Sequence, residues 1–166
     1  SNYNFKKNVH TMKETQKQIF HIQEGVFFMK RISEYLFCWA LGGTLYYAVE
    51  LLFRGYSHWS MFLLGGFCFL FFAWQGLQGG WKTPLWKQVL RCTIFVTSGE
   101  FITGIFVNKW MQWNVWDYSD QPFQLFGQIC LPFTILFSGL CALGIFLAAY
   151  LLYWLYGEEK PQFHVL

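Results

Sequence analysis

The chain has 166 residues, of which 55% are hydrophobic, 23% aromatic and only 13% charged, with a formal net charge of +3. So few charges exclude a disordered chain, a coiled coil, a nucleic-acid-binding module and an ordinary water-soluble enzyme. What is left is an all-α, polytopic membrane helical bundle.

Residues 1–34 hold six of the twelve Lys and Arg: Lys6, Lys7, Lys13, Lys17, Lys30 and Arg31. Thr11 and Glu14 have capping-box spacing, and Ile19, Ile22, Val26 and Met29 recur at helical intervals. This pattern predicts a basic amphipathic helix on the inner leaflet. A second reading stays open, in which Met29-Lys30-Arg31 is the natural start and the residues before it are a trimmed or tagged extension. No small, polar cleavage site follows, so the segment is expected to remain as an anchor.

Four transmembrane helices are predicted within residues 35–157, at about 35–53, 59–76, 89–107 and 132–153, followed by a cytoplasmic tail over 158–166. Each of the first three matches the ~20 helical residues that cross a ~30 Å hydrocarbon layer. Gly79, Gly80 and Pro84 mark the turn between the second and third. The last apolar run, 125–156, is longer than one span requires. Pro132 suits a first helical turn. Residues 122–131 therefore read as a short interfacial or re-entrant segment before the last helix; one steeply tilted helix is the alternative.

The basic residues also give a direction. Four spans place ten of the twelve on one side, and only Arg54 and Lys109 on the other. The positive-inside rule then puts both termini in the cytoplasm of a bacterial plasma membrane.

Ionisable groups inside a span cost about 2.5–3.5 kcal/mol near its centre, so each requires a reason. Glu50, Arg54 and His58 share one face if the first helix continues past residue 54, and Glu50 ahead of Arg54 is the favourable order for a helical pair. Glu100 lies in the non-cytoplasmic half of the third span, with Thr97, Gly104 and Asn108 on its face. Such a carboxylate is protonated, paired with a base such as Arg54, or open to a wet cavity. Both a structural Glu100–Arg54 pair and a solute- or proton-handling acid fit.

The loop that follows carries Trp110, Trp113, Trp116, Asp117 and Tyr118. A spacing of three puts the tryptophans near one face of a short helix. An interfacial aromatic belt accounts for Trp110 and Trp113, whereas Asp117, Asp120 and Pro122 suggest a turn that returns the chain as a lid over Glu50 and Glu100. Gly42, Gly43, Gly65, Gly66, Ser138, Gly139 and Ala142 are expected at helix contacts. His10, His21 and His164 stand alone. Cys38, Cys68, Cys92, Cys130 and Cys141 lack CxxC spacing and clustered His, which predicts buried free thiols and no metal. No motif calls for a cofactor or for nucleotide hydrolysis.

VELLFRGYSHWSMFLLGG (49–66), GEFITGIFVNKW (99–110) and NVWDYSDQPFQLFGQICLPFTILF (114–137) resemble the putative ABC-transporter type IV family of small bacterial membrane proteins. The resemblance covers roughly residues 35–157 and implies a helical integral membrane protein. It maps importance onto Glu50, Arg54, Glu100, Asn108, Trp116, Asp117, Tyr118, Gln128 and Pro132. Members carry a Tyr-Gly-Pro-type stretch after the first span; here GYSHWS stands without the proline.

Three functional readings follow, in this order. The first is a transport-related, permease-like or solute-binding component working as a homo-oligomer or with a partner membrane subunit. The second is an assembly or regulatory subunit that binds proteins through its helices. The third is a lipid-modifying enzyme, for which no nucleophile or metal constellation speaks.

Overall fold

The computed structural model describes residues 2–79 and 81–164, with side chains from residue 12 onward. Four helices dominate: α1 (Asn2–Arg54), α2 (Trp59–Gly79), α3 (Leu85–Gly104) and α4 (Leu131–Tyr156). All four are long and apolar enough to cross a membrane, as the hydrophobic pattern predicts. A two-stranded antiparallel hairpin, β1 (Gln124–Leu125) and β2 (Ile129–Cys130), fills the segment before α4.

The chain divides into two compact units, Ser1–Glu34 and Tyr35–Leu166, with the boundary inside α1. No Gly or Pro lies between residues 26 and 41, so nothing in the backbone ends a helix there. The helix already begins at Asn2, which puts Thr11 in its interior rather than at its cap. The side chains of Lys6, Lys7, His10 and Thr11 lie outside the described residues. In the first unit Ile19, Phe20, Ile22, Val26 and Phe27 are exposed. Arg31 lies 5.1 Å from the Phe27 ring centre and 2.8 Å from Glu34.

In the second unit the helices meet through glycine. A Cβ on Gly42 would lie 2.9 Å from the Gly65 carbonyl oxygen, and one on Gly65 would lie 3.0 Å from that of Gly42. Gly43 stands against the Phe62 carbonyl and Gly66 against that of Trp39, at 2.6 and 2.8 Å by the same measure. Lipid tails are as apolar as leucine, so helices in a bilayer gain from close backbone packing rather than from hydrophobic exclusion. Gly139 departs from the expectation: among the described residues nothing comes within 4 Å of a Cβ placed there, because α4 turns that face outward.

Leu52, Phe53, Leu90, Ile94, Ile102, Leu136, Leu143 and Trp154 are exposed around the bundle. An apolar exterior of that extent is the surface a hydrocarbon layer covers. Inside lie Met61, Phe72, Val96, Cys141, Ile145 and Leu152. All five cysteines are buried as free thiols.

At the end of the bundle where α2 gives way to α3, the tail folds back. The Leu85 N–H donates to the His164 carbonyl at 2.7 Å, and the Phe163 ring stands against Trp81 and Phe146. His164 is thus held by its backbone rather than loose. The opposite end carries the α1–α2 turn, the end of α3 and the hairpin, and is termed the loop end below.

Candidate functional site at the loop end

The α1 helix stops at Arg54 because Gly55 adopts a left-handed φ of 74°, a conformation glycine takes at little cost. That stop corrects the expectation for His58. It leaves the Glu50–Arg54 face, bonds Ser60 Oγ at 2.8 Å through Nδ1, and packs its ring against Trp59 and Trp113. The face that does exist runs Tyr46, Glu50, Arg54 at four-residue intervals. Tyr46 belongs to the site and was missed, although the same spacing that joined Glu50 to Arg54 reaches it.

Arg54 Nη1 donates to Glu50 Oε2 at 2.9 Å, while Nη2 donates to Tyr56 Oη and to the Val115 carbonyl. Its plane also lies over the Tyr56 ring, 4.7 Å from the centre. Arg54 is thereby committed to Glu50 and to the loop. This corrects the Glu100–Arg54 pair: among the described residues no basic side chain lies within ion-pairing distance of Glu100. Instead Tyr118 Oη donates to Glu100 Oε1 at 2.9 Å, and Glu100 is only 2% exposed. Glu50 and Arg54 remain close enough to act on Glu100 through space. Burial pushes the Tyr118 phenol above its usual range, and the neighbouring Glu100 charge adds to the effect. Tyr118 therefore stays protonated and donates.

Past Gly104 the third helix widens into a π-helical stretch, Ile105–Trp110. Such widenings recur at functional sites. Here Asn108 ends up buried and facing the loop. Its Oδ1 accepts from the Val115 N–H and its Nδ2 donates to Gln128 Oε1, both at 2.7 Å. Gln128 in turn accepts the Trp116 indole N–H on its carbonyl at 3.0 Å and donates through Nε2 to the Phe126 carbonyl at 3.0 Å. Asn108, Trp116 and Gln128 thus close one network across the end of α3, the loop and the hairpin. Gly104 makes room for it, since a Cβ there would meet Gln128 Oε1 at 2.5 Å.

The loop itself is not the short helix that the tryptophan spacing predicts. Gln112 and Asn114 have φ of 56° and 49°, which breaks any helical run. The three tryptophans diverge in consequence: Trp110 is 74% exposed, Trp113 41% and Trp116 4%. Asp117 caps the next turn, accepting from the Ser119 hydroxyl and N–H. Those hydrogen bonds, the side-chain one first, hold its carboxyl below the usual carboxylate range. Asp117 is exposed and belongs to the turn rather than to the acid cluster.

The hairpin turn explains the last two positions. Phe126 and Gly127 have φ of 53° and 69°, and the Gln128 N–H donates to the Leu125 carbonyl, the signature of a type I′ turn. A Cβ on Gly127 would sit 2.6 Å from Asp117 Oδ1. The fold then enters α4 at Leu131 with Pro132 in its first turn, where a missing N–H costs nothing. In the same first turn, Phe133 stacks on Tyr118 with ring centres 4.8 Å apart.

The fold defines a multi-pass α-helical membrane protein whose loop end carries a hydrogen-bonded loop tied to Glu100 of α3 through Tyr118 and to Arg54 of α1 through the Val115 carbonyl. Residues 37–165 match the family described as Putative ABC-transporter type IV, and the chain belongs to it. No curated protein and no solved structure matches the chain.

Proposed function

We propose that this protein is a solute-binding transport component whose recognition group is Glu100, held by Tyr118 beneath the loop. One observation carries the reading. Glu50 has its cation in Arg54, but among the described residues Glu100 is bonded by a neutral hydroxyl alone, inside an apolar span. A carboxylate kept for packing is expected to be charge-matched, whereas one kept for a ligand leaves acceptor sites free. Tyr118 uses one lone pair of Glu100. Asn108, Trp116 and Gln128 spend their polar groups on one another and on the backbone of Val115 and Phe126, so they support the roof rather than contact solute.

The loop end faces the exterior, and both termini face the cytoplasm of a bacterial plasma membrane, because ten of the twelve basic residues fall in the segments before the first span, between the second and third, and after the fourth. The first unit, basic and apolar in turn, rests on the inner leaflet. Four spans are few for a complete carrier, so the working form is a homo-oligomer or includes a partner membrane subunit. Orientation is checked by labelling intact cells with a membrane-impermeant maleimide. Asp120→Cys is expected to react from outside and Glu159→Cys only after permeabilisation; the reverse pattern overturns this orientation.

The reading itself is tested with nanodiscs holding the full chain, probed with methyl-, butyl- and octylammonium, acetate and glycerol. At least one probe is expected to bind above empty nanodiscs, and Glu100→Gln is expected to lose it at least tenfold, about 1.4 kcal/mol. A folded Glu100→Gln that binds all five as the wild type does would falsify the reading.

A further inference from the structure

Below the acids lies a cavity of about 240 Å³, open on one side and lined by residues of all four helices of the second unit. Its walls are apolar apart from Tyr46, Cys68 and Cys141. For scale, an apolar cavity of ~150 Å³ accommodates benzene, so by proportion this one takes an apolar body of roughly nine or ten heavy atoms.

The cavity and the acids are one continuous feature. Val96 lines it, and Glu100 stands one helical turn further toward the loop end on the same face of α3. Tyr46 lines it, and Glu50 stands one turn beyond on α1. Phe137 lines it, and Phe133, which stacks on Tyr118, stands one turn beyond on α4. All three helices thus pass from apolar wall to polar or aromatic cap at the same level.

The two ends differ in access. Toward the loop end stand the Tyr118–Glu100 hydrogen bond and the Tyr118–Phe133 stack. On the flank, the lining residues Leu45, Leu140, Leu143 and Leu147 are themselves exposed on the outer surface of the bundle. That flank faces hydrocarbon, so an apolar chain enters there without crossing water.

We propose that this cavity receives the apolar chain of an amphiphile from the bilayer and that its ammonium head meets Glu100. The choice of cation follows from charge: Arg54 offsets Glu50, whereas among the described residues no base lies within ion-pairing distance of buried Glu100. Tyr118, bonded to Glu100 through its hydroxyl, adds an aromatic ring of the kind that suits an ammonium group. The proposal rests on the Glu100 reading above and adds the chain-binding half of the ligand.

The test uses the same nanodiscs, made from phosphatidylglycerol, and the series methyl-, butyl- and octylammonium, with empty nanodiscs subtracted. Affinity, referred to the free amine in water, is expected to rise about fourfold per added methylene while the chain still fits. Val96→Phe and Val49→Phe fill the cavity from two different helices. In whichever of them stays folded by thermal unfolding, the octyl-to-methyl affinity ratio is expected to collapse by about tenfold or more. An unchanged ratio in a folded variant, with Glu100→Gln still abolishing binding, overturns the cavity proposal alone. Binding untouched by Glu100→Gln overturns the head-group assignment and the underlying reading together. Adding phosphatidylethanolamine to the nanodiscs separates the two sources of the ammonium. Competition assigns the site to a lipid head group and its absence to a free amine, and either supports the proposal.

Discussion

Asn108→Leu is expected to lower stability in detergent by about 2–4 kcal/mol, among the largest effects of any single change outside the helix crossings. The side chain is buried and holds two partners from distant parts of the loop. Removing it strands the Val115 N–H and Gln128 Oε1 away from water. Each stranded group costs roughly 1–3 kcal/mol, more than the net value of the bond it loses. The leucine also lands on a π-helical stretch whose register exists to present that amide. Gln128→Leu is expected to cost a similar amount, and the pair Asn108→Leu/Gln128→Leu clearly less than the sum, because the two share one bond. Thermal unfolding of the four proteins checks this. A loss below about 1 kcal/mol for Asn108→Leu, or full additivity, counts against a closed network.

That network also shows which kind of information the sequence carries on its surface. Features set by local chemistry were legible: spans of ~20 apolar residues, paired glycines at α1 and α2, and the proline that opens α4. The Glu50–Arg54 pair was legible too, since both sit on one helix four residues apart. The partners of Glu100 and Asn108 were not, because they lie 18 and 20 residues away across a loop without periodicity. Spacing misled where the backbone leaves the helix. Gly55 removes His58 from the Glu50 face, and the positive φ at Gln112 and Asn114 scatters three tryptophans that a helix would have aligned. A glycine announces such a turn; Phe126 in the same conformation does not, because only the completed hairpin and its Gly127 partner impose it. Gly139 fails for a different reason. A small residue permits close approach, but nothing in one chain says whether a neighbour takes the offer.

Arg54→Met is expected to cost about 3 kcal/mol, and more than Glu50→Gln does. The two side chains are 25% and 12% exposed, so the pair is neither fully screened nor fully buried. Breaking a buried pair by removing one member costs about 3–5 kcal/mol, chiefly because the other charge is left without a partner, and partial exposure places this case at the low end. The asymmetry follows from what each member does besides. Without Arg54, Glu50 keeps a charge inside an apolar span, and the Val115 carbonyl loses its donor from α1. Without Glu50, Arg54 still reaches Tyr56 and Val115, and its long stem allows the guanidinium to reach the interface. Glu50→Gln is therefore expected to cost about 1 kcal/mol. The double variant Glu50→Gln/Arg54→Met is then expected to be more stable than Arg54→Met alone, since neutralising Glu50 relieves the stranded charge. If the double variant is instead as unstable as the two losses added together, the pair does not act as a unit. Arg54 would then hold the loop through Val115 only, and Glu50 would join Glu100 as a second acid available to a cationic ligand.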